Sequence, residues 1–267
     1  MRATVLHYCD STQSLSCEER TIAKRYPALG VVPPQLVSLL SVSRALTSRA
    51  IGEPFGAGDM VIVGSSTANM PNLMAMDRQC RHEAATLSPL IYSLGVNNIA
   101  SSSIGLAFGF SGSNYTLLGA LAGVQALYQA QKLIETGCAR RVLVLSSDYF
   151  DSSDIEGGCR VDESCGLLLS DRTDSTAPEL FCAYENVADA TSDKMALGAL
   201  LESEGLNLAV EDCHFVTVDD SDFCDFSATA RLRRLLHAFQ KGQEKMATFV
   251  SISEQSEGTY RFLFRNG

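Results

Sequence analysis

Between Tyr115 and Leu145 the chain reads as strand, helix, strand, with almost nothing in the connections. Tyr115 to Leu118 is a short strand. Ala122 to Thr136 carries Val124, Leu127, Tyr128, Leu133 and Ile134 along one side, the spacing of an amphipathic helix. Gly137 is placed to end that helix as a left-handed cap. Arg141 to Leu145 is then an unbroken apolar strand. Two strands joined by a helix with connections this short form a βαβ unit, so at least part of the sheet is parallel and covered on both faces.

The rest of the chain extends the same α/β pattern. ATVLHY at 3–8 reads as an opening strand. Val31 to Pro34 is an extended approach, and Pro34 suits the first turn of a helix, where its missing N–H leaves no bond unmade. Leu36, Leu39, Leu40, Ala45 and Leu46 give that helix an apolar face. Met60 to Val63 is a buried strand, and Asn69 to Glu83 a helix. Ser88-Pro89 opens a segment whose part from Asn97 to Ser103 is rich in small residues, and Gly109 and Gly112 bound a turn. Cys165 to Leu169 is a further strand. Asp171 to Pro178 is polar and turn-rich, the best place for a linker. Beyond it come a strand at Leu180 to Val187, a helix at Ser192 to Glu204, a strand at His214 to Val218 and a helix at Ala228 to Phe239. A hairpin, Thr248 to Ser253 with Tyr260 to Phe264 around Glu257-Gly258, closes the chain. The second half repeats the element types of the first in fewer residues, without any repeat at residue level.

The chain has 267 residues, 46% hydrophobic and 19% charged, enough for one large domain with a sizeable core. Its formal net charge of −10 argues against a nucleic-acid surface. Nine cysteines include no C-x-x-C pair, so the spacing of a structural zinc site is absent and no metal or cofactor is expected. The opening MRATVLHYCD has no basic flank followed by an apolar run, and no apolar run is long enough to span a membrane. Reduced thiols and a cytoplasmic location are therefore expected.

At Ser88-Pro89, Asn98, Gly109, Gly112 and Gly137 the chain resembles the N-terminal half of the β-ketoacyl synthases, over roughly residues 30–170. The terminal hairpin looks like the closing strands of that family without their F-G-F-G-G turn. The resemblance implies a thiolase-like fold: two βαβ-rich halves in layers, forming one domain over 1–267, with an N-terminal half of about 1–170 and a reduced C-terminal half of about 180–267. The family's chemistry uses a cysteine thiolate that takes the acyl chain as a thioester, assisted by two histidines. Aligned without gaps, the cysteine position falls on Leu121; with one deletion it falls on Ala120. The H-G-T-G-T turn that holds one histidine is replaced, after the strand at His214, by Asp219-Asp220-Ser221-Asp222. The K-x-x-x-G-H segment that holds the other is absent. His7, His82, His214 and His237 are dispersed.

The chain looks most like the noncatalytic members of the superfamily, the chain-length factors of type II polyketide synthases, and among them the short kind found in bacterial aryl polyene pathways. The resemblance implies a heterodimer with a catalytic β-ketoacyl synthase subunit, with an acyl carrier protein engaged through the complex. It implies a dimer-forming strand at Asn114, Tyr115, Thr116, Leu117 and Leu118, beside the small-residue segment that begins after Asn98. It also implies an acyl-pocket floor from Leu90, Ile91, Tyr92 and Leu94, which are equally ordinary core residues. Other readings stay open. Gly109-Phe110-Ser111-Gly112-Ser113 evokes a serine-hydrolase elbow but lacks the final glycine and precedes a strand. Cys159 or Cys165 could be a displaced nucleophile in a degenerate acyltransferase. Asp219, Asp220, Asp222 and Asp225 could meet a divalent cation, and the chain could be a homodimeric scaffold.

Overall fold

The apolar runs and the helical stripes condense into a single nine-stranded mixed sheet with helices on each of its faces. The computed structural model describes residues 2–10, 35–49, 54–67, 70–83, 96–151, 160–172, 177–185, 192–218, 228–242, 246–254 and 258–266. The strands are β1 (Ala3–Asp10), β2 (Asp59–Ser65), β3 (Asn114–Leu118), β4 (Arg141–Asp151), β5 (Arg160–Ser170), β6 (Glu179–Glu185), β7 (Cys213–Val218), β8 (Ala247–Glu254) and β9 (Gly258–Arg265). The helices are α1 (Gln35–Arg49), α2 (Met70–Glu83), α3 (Ile99–Phe108), α4 (Ala122–Glu135), α5 (Asp193–Ser203) and α6 (Ala228–Lys241).

The strand order β3-β2-β4-β5-β1-β6-β9-β8-β7 contains its own duplication. In the first half β2 runs parallel to β3 and β4, and β5 is antiparallel to both β4 and β1. In the second, β7 runs parallel to β8, and β9 is antiparallel to both β8 and β6. Exchanging β1, β2, β4 and β5 for β6, β7, β8 and β9 carries one half onto the other. The halves meet where Ala3 and Thr4 pair with Leu180 and Glu179. The repeat that residue identity does not show is therefore explicit in the pairing.

Period-two side-chain alternation sorts the core into layers. Ile62, Val142, Val144, Leu167, Val250 and Phe262 point inward, where they enclose α4 and α6 between the two half-sheets. Val61, Val63, Leu143, Leu145 and Leu168 point the other way, against Leu36, Leu39, Leu40 and Leu46 of α1 and Ile104 of α3. Phe181, Phe249 and Leu263 meet Leu197, Leu200 and Leu201 of α5 on the far side. The sequence is thus helix layer, half-sheet, paired central helices, half-sheet, helix layer. The second half is the shorter one. Residues 66–121 connect β2 to α4 and include α2, α3 and β3, whereas only residues 219–227 connect β7 to α6. Among the described residues the second half has no counterpart of β3.

Several elements run longer than their apolar cores suggest. β4 continues through Ser146, Ser147 and Asp148, and β5 begins upstream of Glu163 and Ser164, because those polar residues pair with one another across the ladder. Gly109 and Gly137 adopt the left-handed conformation after α3 and α4, with φ of 78° and 72°. Val31 to Pro34, Val187 and the proposed linker residues 173–176 lie outside the described residues.

One buried ion pair anchors the start of the parallel strands. Asp59 opens β2 and is fully buried. Arg141 Nε donates to its Oδ1 at 2.9 Å, and Arg140 Nη2 and the Gly56 amide donate to Oδ2 at 3.2 and 2.8 Å. The Arg141 guanidinium also lies 4.2 Å from the ring centre of Phe55, which stacks on Phe110. Burial alone pushes the Asp59 carboxyl pKa up, but the Arg141 and Arg140 hydrogen bonds and the Gly56 amide outweigh it and hold the pKa below the usual value. A depressed folded-state pKa gives stability that is present above the unfolded-state value, near 3.9, and is lost as pH falls through the folded-state value. Asp59→Asn should therefore cost about 3–5 kcal/mol at neutral pH by removing the carboxylate charge that compensates the buried Arg141 guanidinium. The gap between variant and wild type should shrink in denaturant melts below about pH 4, and a gap independent of pH would contradict this account.

Candidate functional site

The turn from β3 into α4 is built by close backbone approach. Gly119 takes φ 135° and Leu121 stands at the N-cap of α4. Leu121 has no exposed surface and sits in the inner core with Ile62 and Val124; Ala120 is half-buried. Gly64 of β2 passes so near that a Cβ on it would stand 2.4 Å from the Ala122 carbonyl carbon and from the Gly123 nitrogen. A Cβ on Gly123 would in turn meet Ser146 Oγ at 2.8 Å and the Ala228 carbonyl at 2.9 Å. The N-termini of α4 and α6 therefore converge beside the carboxyl ends of β2 and β4, at a point where only small residues fit.

Polar side chains cement this point. Ser146 Oγ donates to the Gly64 carbonyl at 2.9 Å and lies 3.1 Å from Thr229 Oγ1 at the start of α6. Asp148, nearly fully buried, accepts from the Ser66 and Thr67 amides on Oδ1 at 2.7 and 3.2 Å and from the Thr229 amide on Oδ2 at 2.9 Å. Sequence reasoning missed this centre. The signal was the polar run Ser146-Ser147-Asp148, which follows the apolar stretch Val142 to Leu145 within β4.

Among the described residues β3 is the outer strand of the first half, bonded only to β2. Tyr115 and Leu118 are 42% and 48% exposed, and Leu106 of the adjacent α3 is 60% exposed. Leu117 packs into the inner core, and Asn114 and Thr116 are half-buried. The small-residue helix lies against the strand: Ser101 Oγ is 3.0 Å from Thr116 Oγ1, and a Cβ on Gly105 would stand 2.6 Å from Asn114 Nδ2. Asn98 precedes α3, where its carbonyl accepts from the Ser102 amide at 3.0 Å and from Ser101 Oγ at 3.1 Å. Leu90, Ile91, Tyr92 and Leu94 lie outside the described residues.

The other candidates separate. His7 donates from Nε2 to the Arg49 carbonyl at 2.9 Å, and burial lowers its pKa. His214 is on β7 and His237 is exposed on α6; the His82 side chain is outside the described residues. Gly109 to Ser113 forms the turn between α3 and β3, not a strand-to-helix elbow. Cys165 is buried, its thiol directed at the Thr229 carbonyl 3.6 Å away. Cys159 and the acidic loop 219–225 lie outside the described residues. Among the described residues no group of three or more His, Cys, Asp and Glu is placed to hold a metal, and no helix is long and apolar enough to cross a membrane.

No family model matches the chain, and no curated protein matches it in sequence. Solved structures match it over its whole length. The ishigamide ketosynthase/chain length factor superposes with a TM-score of 0.68 at 12% identity, covering 100% of this chain and 99% of that one. A β-ketoacyl synthase from Burkholderia phymatum gives 0.62 at 9% identity, with the same coverage. The complex of a ketosynthase, ApeO, with its chain length factor, ApeC, from Xenorhabdus doucetiae gives 0.56 at 11%, covering 100% of each chain. The chain has the thiolase-like fold of the ketosynthases and chain-length factors.

The tight crossing makes a clear mechanical prediction. Gly64→Ala should cost about 1–3 kcal/mol or more, because its new methyl meets backbone rather than a movable side chain. Gly198→Ala in α5, where the added methyl meets nothing within 4 Å, should instead gain about 0.5–1 kcal/mol. Paired thermal or urea melts decide the signs.

Proposed function

We propose that the chain is a noncatalytic, chain-length-factor-like subunit that dimerises with an active β-ketoacyl synthase and shapes its acyl or polyene pocket, in polyketide biosynthesis of the aryl polyene type or a fatty-acid-like pathway. The observation that carries the reading is Leu121, fully buried at the N-cap of α4. By the family resemblance, this is where a condensing enzyme needs an accessible thiolate. An aliphatic side chain there cannot form a thioester, and neither can Ala120. The rival thiol, Cys165, is buried and pointed at a backbone carbonyl, which suits a small core residue better than a nucleophile.

The partner surface of this reading is β3 with α3. A strand bonded on one side and bearing exposed Tyr115 and Leu118 is an aggregation hazard unless another chain covers it. A ketosynthase strand laid along it would join two sheets into one and cover Leu106. An obligate contact of this kind buries on the order of 2,000 Å² or more. The subunit works as one unit over 1–267, its halves meeting near 170–180, in the cytoplasm, and an acyl carrier protein reaches it only through the complex. Leu90, Ile91, Tyr92 and Leu94 supply the pocket floor, with Asn98 at its margin.

The isolated chain should show no condensing activity and take up no radiolabelled acyl group, and Leu121→Cys should not restore any, because the two histidines are missing as well. Tyr115→Asp or Leu117→Asp should abolish co-purification with the ketosynthase or precipitate the subunit. Ile91→Ala or Tyr92→Ala should lengthen products by about one or two two-carbon units, while costing roughly 2–5 kcal/mol if those sites are buried. Mass spectrometry of products from reconstituted, intact heterodimers reads this directly. An unchanged distribution across all four alanine substitutions would leave only a structural role. Acyl transfer by the isolated chain would favour a degenerate acyltransferase, and a soluble self-dimer indifferent to any ketosynthase would favour a scaffold.

A further inference from the structure

The Asp148 carboxylate is surrounded by donors. Besides the amides of Ser66, Thr67 and Thr229, it receives the hydroxyls of Ser65, Ser66 and Thr67 at 2.9, 3.0 and 3.3 Å on Oδ1. Thr67 is held from its other side as well, since its hydroxyl accepts the Tyr149 amide at 3.1 Å. Three backbone amides on one carboxylate, two at Oδ1 and one, in the first turn of a 14-residue helix, at Oδ2, make an anion receptor in the same sense as the nests that bind phosphate. Ser65 and Thr229 are buried with the carboxylate, while Ser66 and Thr67 are half-buried at its margin.

We infer that this receptor is an anion site whose ligand is built in: Asp148 supplies the carboxylate that pins the 65–67 loop to the start of α6 and occupies the Ser66, Thr67 and Thr229 amides at the junction of the two central helices. The inference deepens the noncatalytic reading, since it uses a second observation, independent of Leu121, at the same junction. Charge and shape both matter. The amides of Ser66 and Thr67 face one carboxylate oxygen and the Thr229 amide faces the other, so an isosteric Asn would turn its NH2 toward a backbone N–H whichever way it is oriented, and a truncated side chain would leave a cradle sized for a small carboxylate. The ligand class is therefore formate or acetate, held by the same three amides.

The test is chemical rescue of Asp148→Ala in the full chain, by thermal unfolding in sodium formate against sodium chloride of equal ionic strength and against formamide. The variant is expected to melt below wild type. Formate should raise its melting temperature by about a few degrees once its concentration exceeds Kd roughly tenfold, while chloride and formamide act on variant and wild type alike. Asp148→Asn should also melt below wild type and ignore formate, because its amide still fills the cradle; this arm stands if the alanine variant is recovered only as aggregate. An equal formate shift in wild type and Asp148→Ala, a formate response of Asp148→Asn, or wild-type stability in either variant would overturn the inference. Capture of the wild-type chain by a ketosynthase is scored separately. Failure of capture sinks the proposed function and leaves the anion site standing, whereas a formate-blind Asp148→Ala from a chain that is captured does the reverse.

Discussion

Everything in this molecule is arranged around the contact of Gly64 with the first turn of α4. The parallel strands β2 and β4 place their carboxyl ends under that helix, and the glycine lets the backbones close to a distance that no side chain would permit. Once α4 is that deep, its neighbour α6 must also end there, and Gly123 against the Ala228 carbonyl is the record of that second approach. The two half-sheets can then close over both helices, which is why Ile62, Val144, Val250 and Phe262, from four strands of two different halves, share one core. The layered fold is the consequence of a crossing that tolerates only small residues.

Such a crossing concentrates unpaired helix-start amides at one buried place, and they must be satisfied. A condensing enzyme of this fold would leave some of them for its substrate. Here the Thr229 amide is taken by Asp148, the Ala122 amide at the start of α4 by the Gly119 carbonyl, and Ser146 bridges to both Gly64 and Thr229. The interior is closed by its own side chains, and the incomplete part of the chain is its edge. Among the described residues β3 has one bonded neighbour, and its flanks Tyr115, Leu118 and Leu106 are among the more exposed large apolar residues.

The βαβ unit was legible because its periodicities are strong: every apolar residue read on α4 faces the inner core or its margin, and the left-handed Gly137 falls where the helix stops. The layer assignment of β2 and β4 also followed, since strands covered on both faces are apolar at consecutive positions. The mirrored strand order was not legible. It depends on antiparallel pairings between β5 and β1 and between β9 and β6, which are non-local and leave no residue-level repeat. The ends of β4 and β5 were hidden for a different reason. Serine, aspartate and glutamate argue against a buried strand until their partners are known, and those partners lie on β2, on α6 and across the hairpin. Leu121 and Ala120 as the nucleophile position rest on the family resemblance alone, and Asp148 was invisible to it, because a buried carboxylate is recognised by its donors and not by its neighbours in sequence.

The asymmetry between the halves bears on how such a chain can associate. The first half ends in β3, a strand reached through two helices; the second ends in β7, with only residues 219–227 leading from it to α6. The internal twofold therefore relates a complete edge to a shortened one. In an isologous pair the same strand would face itself, with Tyr115 and Leu118 meeting their own copies. In a pair with a full-length relative, the partner's corresponding strand can differ at each of those positions while keeping the same backbone ladder. Backbone pairing makes the two assemblies similar in hydrogen bonding, so the choice between them falls to the side chains flanking β3, and above all to whether Leu106 finds an apolar pocket opposite. Specificity for one partner then rests on packing at the rim of a common ladder, which is how a duplicated fold can exchange a twin for a different subunit without changing its architecture.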